Sequence, residues 1–202
     1  MQLTHLFQQA KQASRSVASM TDEARNAVLL AVAEEIRTQS ASLLQANRKD
    51  LAAMHKSNPL YDRLMLTDER LCVISHDMEN VTRLPSPLGR VSHERTLDNG
   101  LRLHRVSVPF GVIGVVYEAR PNVTFDVFAL CFKSGNVCVL KGGRDAEASN
   151  QAAVDLIHGV LRRMGVDEQA VVLLPATHEA TAEMLNAVGY IDLCIPRGGR
   201  KL

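Results

Sequence analysis

Tryptophan is absent, and aromatic residues make up only 4% of the 202-residue chain. Any core must therefore be built from Leu, Val, Ile, Ala and Met, within a hydrophobic content of 46% that is enough for one sizeable core. Charge of one sign is also lacking, since 23 Lys and Arg against 22 Asp and Glu leave a formal net charge of +1. No face or tail concentrates Lys and Arg, so nothing suggests a nucleic-acid partner. The four cysteines, Cys72, Cys131, Cys138 and Cys194, form no CxxC pair, and no Cys/His cluster has zinc spacing, so no metal site is expected. Three of them sit in apolar runs, as buried free thiols do, and a reduced, cytoplasmic protein is the expectation. Residues 1–20 carry polar side chains throughout, so neither a signal peptide nor a membrane span is expected there.

What is present is helical spacing, then alternation of strands and helices. Leu3, Leu6, Phe7, Ala10, Ala13 and Val17 form one apolar stripe. Thr21 reads as an N-cap with Asp22 and Glu23 in the first turn. The helix that follows is expected to run, with a break near Ser40, until Asn58-Pro59 stops it. A third helix follows Thr67 and ends before Pro85. At Pro85 the pattern changes. Asp98-Asn99-Gly100 predicts a tight hairpin turn, because Asn-Gly tolerates positive φ, and a two-stranded hairpin is expected over residues 91–108. Such a hairpin suits pairing with another subunit or domain, although a surface flap is an equally ordinary reading. From Val112 four short apolar strands, near 112–117, 137–140, 171–174 and 191–195, alternate with helices near 123–134, 146–164 and 178–188. That order predicts a Rossmann-like α/β fold with a parallel sheet and helices on both faces. The chain divides into a helical layer (1–84), a linker and β-hairpin (85–110) and an α/β core (111–202).

In open α/β sheets ligands bind outside the carboxyl ends of the strands. Those ends carry Arg120 and Asn122, then Lys141, Gly142, Gly143 and Arg144, then Arg197, Gly198 and Gly199. Paired glycines let backbone N–H groups approach an anion, and a helix starting beyond them would add its positive end. Lys141 and Arg197 would add full charge for phosphate or ribose. The glycines also fit a purely structural reading as tight strand-to-helix turns. The GxGxxG fingerprint is absent. Asn122 could offer its amide to a developing oxyanion; it could equally cap the helix it precedes. The seven histidines are scattered, and surface or packing roles suit them.

The run from Val108 to Thr124, with Glu118-Ala119-Arg120-Pro121-Asn122 within it, resembles the γ-glutamyl phosphate reductase family of the aldehyde dehydrogenase superfamily. So do Ser134-Gly135-Asn136 leading to Leu140-Lys141-Gly142-Gly143, and Tyr190-Ile191-Asp192 leading to Ile195-Pro196-Arg197-Gly198-Gly199. The resemblance covers essentially the whole chain. It implies an aldehyde dehydrogenase-like fold and an NADPH-dependent reduction of L-glutamate 5-phosphate to L-glutamate 5-semialdehyde, a step of proline biosynthesis. By the same resemblance Asn122 aligns with the superfamily's oxyanion amide and Lys141 with the lysine at the cofactor's adenosine ribose. Gly198 and Gly199 align with the loop facing the pyrophosphate. The family's nucleophilic cysteine lies in a Ser/Thr-Cys-Asn setting within a separate catalytic domain, and no such setting occurs here. With the sequence stopping at Leu202, just after a strand, the expectation is an incomplete, N-terminal fragment that is inactive alone. A stand-alone nucleotide-binding or oligomerisation module without catalysis is the competing reading. A CoA-thioester-using relative is disfavoured by the Ala-Arg-Pro-Asn and Pro-Arg-Gly-Gly loops.

Overall fold

The computed structural model describes residues 2–118 and 120–197. The helical layer begins with α1 (Thr4–Ser19), which buries Phe7, Ala10, Ala13 and Val17 on the stripe expected for it. Next come α2 (Asp22–Thr38) and α3 (Ser40–Ala53), separated at Gln39, so the break falls where Ser40 suggested. Thr21 caps α2 by accepting from the Ala24 N–H, and Thr67 caps α5 (Asp68–Arg83) by accepting from the Arg70 N–H. The expected continuation to Asn58 does not occur. Met54 turns extended, and Asn58 forms its own turn by accepting from the Leu60 N–H at 2.9 Å. Side chains that compete for the backbone end α3 early, and a four-residue helix, α4 (Tyr61–Leu64), fills the gap.

The hairpin consists of β1 (Val91–Thr96) and β2 (Arg102–Val106), antiparallel and forming a sheet of its own. Its turn differs in detail from expectation. Only Gly100 takes positive φ, at +85°, while Asn99 does not. The Leu97 N–H reaches the Leu101 carbonyl at 2.9 Å and the Gly100 N–H reaches that of Leu97 at 2.8 Å, the pattern of a longer turn with its glycine left-handed. Every residue of both strands is exposed, the apolar Val91, Leu103 and Val106 included.

The four remaining strands are parallel, as the alternation predicted: β3 (Val112–Val116), β4 (Val137–Lys141), β5 (Val171–Leu173) and β6 (Leu193–Pro196), in the order β5-β4-β3-β6. They alternate with α6 (Asn122–Lys133), α7 (Glu147–Arg163) and α8 (His178–Leu185). The central β3 and β4 are buried almost throughout. β6 departs from expectation. It begins at Leu193, two residues late, and lies half-buried to exposed at an edge of the sheet. Its approach is pinned by Asp192, whose carboxylate accepts from the Val112 N–H at 2.8 Å and pairs with Lys11 at 2.6 Å. A single core joins α1, α2 and α5 to the sheet and to α6 and α7. Lys133, only 4% exposed at the end of α6, crosses that junction to Asp22 (2.9 Å) and Asn26 (2.8 Å) of α2. No helix of the described residues is long and apolar enough to cross a membrane.

One long-range cap bears on the site. Asp50 of α3 accepts from the Ala148 N–H (3.0 Å), the Ser149 N–H (2.8 Å) and the Ser149 hydroxyl (2.5 Å). Its carboxylate thus sits on the first turn of α7, where the helix dipole favours an anion. Asp50→Ala strips these buried donors of their partner and should lower stability by about 2 kcal/mol. An unfolding free energy, from urea titration, within about 0.5 kcal/mol of the unsubstituted chain would contradict that role.

Candidate functional site

The carboxyl ends of three adjacent strands lie level. Val116 of β3 is in register with Lys141 of β4 and with Pro196 of β6, and the Arg197 N–H donates to the Val116 carbonyl at 2.8 Å. The predicted site residues on these strands therefore share one rim of the sheet.

Beyond β3, Tyr117 turns back into the core, where its hydroxyl shares a 2.7 Å hydrogen bond with Thr124. Thr124 in turn donates to Asn150 of α7 at 3.0 Å. Burial pushes the Tyr117 phenol far above its usual range, so it acts as a neutral brace under the following loop. Asn122 opens α6 but does not cap it, because Pro121 holds the N-cap position without a side-chain bond. The Asn122 amide instead donates to the Asp126 carboxylate at 3.0 Å. An amide has two N–H groups, so this bond fixes the side chain and leaves a donor over. Arg120, Asn122 and Asp126 line a cavity of about 400 Å³ whose opposite wall is α4 and α5. Burial raises the Asp126 carboxyl above its ordinary value, repulsion from Asp77 adds to this, and the Asn122 bond and Arg197 oppose it. A second cavity, of about 300 Å³, contains Arg197 and shares Ile74, Asp77 and Asp126 with the first.

At the end of β4, the Lys141 ammonium has no hydrogen-bond or ion-pair partner among the described residues. Burial and the nearby charge of Arg144 lower its pKa, the state of an ammonium that an anion would stabilise. Gly142 and Gly143 border a cleft of about 70 Å³ closed by Leu174, Pro175 and Ala176 after β5. Gly142 is required for packing: a Cβ there would lie 2.2 Å from the Asn150 amide nitrogen. The expected help from the next helix is absent. A short 3-10 turn intervenes, and the Ala148 and Ser149 N–H groups of α7 already belong to Asp50. Any anion at this strand end would be met by Lys141 and Arg144, not by α7. Gly198 and Gly199 lie outside the described residues. Among the described residues no group of three or more His, Cys, Asp or Glu side chains is placed to hold a metal ion.

None of the thiols is set up as a nucleophile. Cys138 is fully buried beside Cys131, and burial holds its thiol well above the usual range. Burial also raises the half-buried Cys194. Cys72 is exposed on α5 and lines neither large cavity.

Sequence reasoning passed over Asp126, Asp77, Arg63 and Arg70. The first had a readable signal, because the one carboxylate of a mostly apolar helix, four residues after Asn122, sits on the same face. The other three come from α4 and α5, and only the folded chain sets them opposite Asn122.

The fold, helices on a parallel sheet with a separate hairpin, is aldehyde dehydrogenase-like. A propionaldehyde dehydrogenase from Rhodopseudomonas palustris matches 98% of it, and 42% of itself, with a TM-score of 0.71 at 18% identity, a likeness of fold alone. The γ-glutamyl phosphate reductase of Thermotoga maritima superposes far better, with a TM-score of 0.94 at 34% identity, over all of this chain and 50% of its own. In sequence the γ-glutamyl phosphate reductase of Bacteroides fragilis is 54% identical over all 202 residues. The chain is a homologue of the γ-glutamyl phosphate reductases, and it spans about half the length of the curated relatives it matches. No family model matches it.

Proposed function

We propose that the chain is the nicotinamide-nucleotide-binding half of a γ-glutamyl phosphate reductase, working in the cytoplasm in proline biosynthesis. The 54% identity over all 202 residues, against 49% of the length of a relative of that name, carries the reading. The reaction is the reduction of L-glutamate 5-phosphate to L-glutamate 5-semialdehyde with release of phosphate. Asn122, held by Asp126 on the cavity wall, is the amide that stabilises the acyl oxygen as negative charge develops there. Lys141, Gly142 and Gly143 at the β4 end, and Arg197, Gly198 and Gly199 at the β6 end, hold the cofactor.

The residues at the β4 end suit one end of a dinucleotide. The cleft is too small for a whole one, but its rim carries the unpartnered Lys141 ammonium with Arg144 close enough to repel it. Two crowded cations are relieved by a doubly charged phosphate, which favours NADPH over NADH. The bound nucleotide would supply the hydride; this chain supplies position and charge. Residues 1–84 and 111–202 together form the cofactor domain. The hairpin of residues 91–108, exposed on both faces, pairs with a second copy, since an isolated two-stranded sheet is at best marginally stable.

The NADPH preference is tested by titrating the chain with NADPH and NADH, followed by nucleotide fluorescence. NADPH should bind more tightly, and Arg144→Ala should remove most of the difference, roughly 10-fold or more for one charge-assisted contact. Equal affinities for the two nucleotides would contradict it.

A further inference from the structure

The cavity that Asn122 faces is lined with more charge than an acyl phosphate needs. Some of that charge is already committed. Arg70 pairs with Asp62 at 2.9 Å and donates to the Met65 carbonyl at 2.7 Å, which anchors α4 on the start of α5. Asp126 is bonded to Asn122 at 3.0 Å. Three charged side chains remain without a hydrogen-bond or ion-pair partner among the described residues: Arg63 on α4, Asp77 on α5, and Arg120 just before Asn122.

They reach the cavity from two walls. Arg120 shares the loop after β3 with Asn122, at the end where the acyl group would react. Arg63 and Asp77 come from the facing helices. An exposed Arg or Asp alone is ordinarily a solvated surface charge. Here a cation and an anion that have not paired with each other face one concavity of about 400 Å³, within the usual range for small-ligand sites. A singly charged ligand would leave one of the two unmatched. A ligand that carries an ammonium beside a carboxylate satisfies both.

We infer that the α4–α5 wall is the subsite for the α-amino-acid head group of the substrate, with Asp77 accepting hydrogen bonds from the ammonium and Arg63 holding the α-carboxylate. The methylenes between the head group and the acyl carbon then carry the reacting end across the cavity toward Arg120 and Asn122. The inference rests on the reading of this cavity as the acyl-phosphate site. It adds what distinguishes an amino acid from a plain dicarboxylate there.

L-Glutamate, which is stable where its acyl phosphate is not, serves as the probe in calorimetric titrations of the 202-residue chain. Glutarate lacks the ammonium and 4-aminobutyrate lacks the α-carboxylate. L-Glutamate should bind at least about tenfold more tightly than either, the worth of one charge-assisted hydrogen bond. Asp77→Asn should bring L-glutamate down to the level of glutarate, and Arg63→Gln down to that of 4-aminobutyrate. Both side chains are exposed, so neither change should disturb the fold, and each variant tests its own half of the subsite. Undetectable L-glutamate binding, equal binding of the three compounds, or full discrimination in the variants would overturn the subsite. The nucleotide titration separates the two readings. Amino-acid binding without any nucleotide binding would sink the reductase reading and leave the subsite, whereas nucleotide binding without amino-acid discrimination would sink only the subsite.

Discussion

The purified 202-residue chain, supplied with freshly generated L-glutamate 5-phosphate, will oxidise NADPH no faster than background. Reduction of an acyl phosphate through a thioester needs a thiolate that is exposed, near the strand ends and of lowered pKa. Each cysteine fails at least one of these conditions. Cys138 is fully buried, with its thiol pushed well above the usual range, and Cys131 is buried beside it. Cys194 lies in β6 shortly before Arg197, but burial raises it as well. Cys72 is exposed and lines neither large cavity. An oxyanion donor, the role proposed for Asn122, has no tetrahedral intermediate to stabilise when no nucleophile forms one. Loss of a nucleophile has an effect of order 10⁶-fold in a well-studied hydrolase, so even a trace of real turnover would be informative. Turnover that survives purification and disappears in Cys194→Ala would show that Cys194 is the nucleophile.

Gly111→Ala should cost about 2–6 kcal/mol of stability. Two effects add. The residue holds φ at +116°, where a side chain is strained by about 1–3 kcal/mol. A Cβ there would also lie 2.3 Å from Asp192 Oδ2 and 3.1 Å from its Cγ. Relief requires the carboxylate to leave, which strands the Val112 N–H at the start of the central strand, a further loss of about 1–3 kcal/mol. The accompanying Lys11 pair is partly exposed and adds little. Urea unfolding measures the total, and a double-mutant cycle identifies the cause. Asp192→Ala should be far less costly in the Gly111→Ala background than in the original chain. Additive losses, or a Gly111→Ala loss under about 1 kcal/mol, would remove the steric account.

What the sequence disclosed followed the range of the interactions concerned. Spacing of Phe7, Ala10, Ala13 and Val17 located α1, and Thr21 and Thr67 marked helix starts, because caps and stripes are decided within a few residues. The Val- and Ile-rich runs located the buried β3 and β4, and the tendency of ligands to sit beyond strand carboxyl ends drew attention to the loops that carry Lys141 and Asn122. The same reasoning overextended α3, where Asn58 set its own turn, and began β6 too early, where Asp192 replaces strand pairing. Partners distant in the chain were invisible. Asp50 caps a helix that begins almost a hundred residues later, so the idea of an anion on the start of α7 could not be corrected from spacing. Asp77 and Arg63 became candidates only once α4 and α5 had folded across from Asn122.

The central claim is that the end of β4 holds a nicotinamide nucleotide, and Lys141 tests it most directly. The measurement is the NADPH affinity of the chain and of Lys141→Ala, by fluorescence titration under identical salt. Lys141 has no partner among the described residues to lose, so the substitution should leave unfolding unchanged. It should weaken NADPH by roughly 10- to 150-fold, the equivalent of about 1.5–3 kcal/mol for a charge-assisted contact. Saturable binding with the same affinity in both proteins would contradict the account.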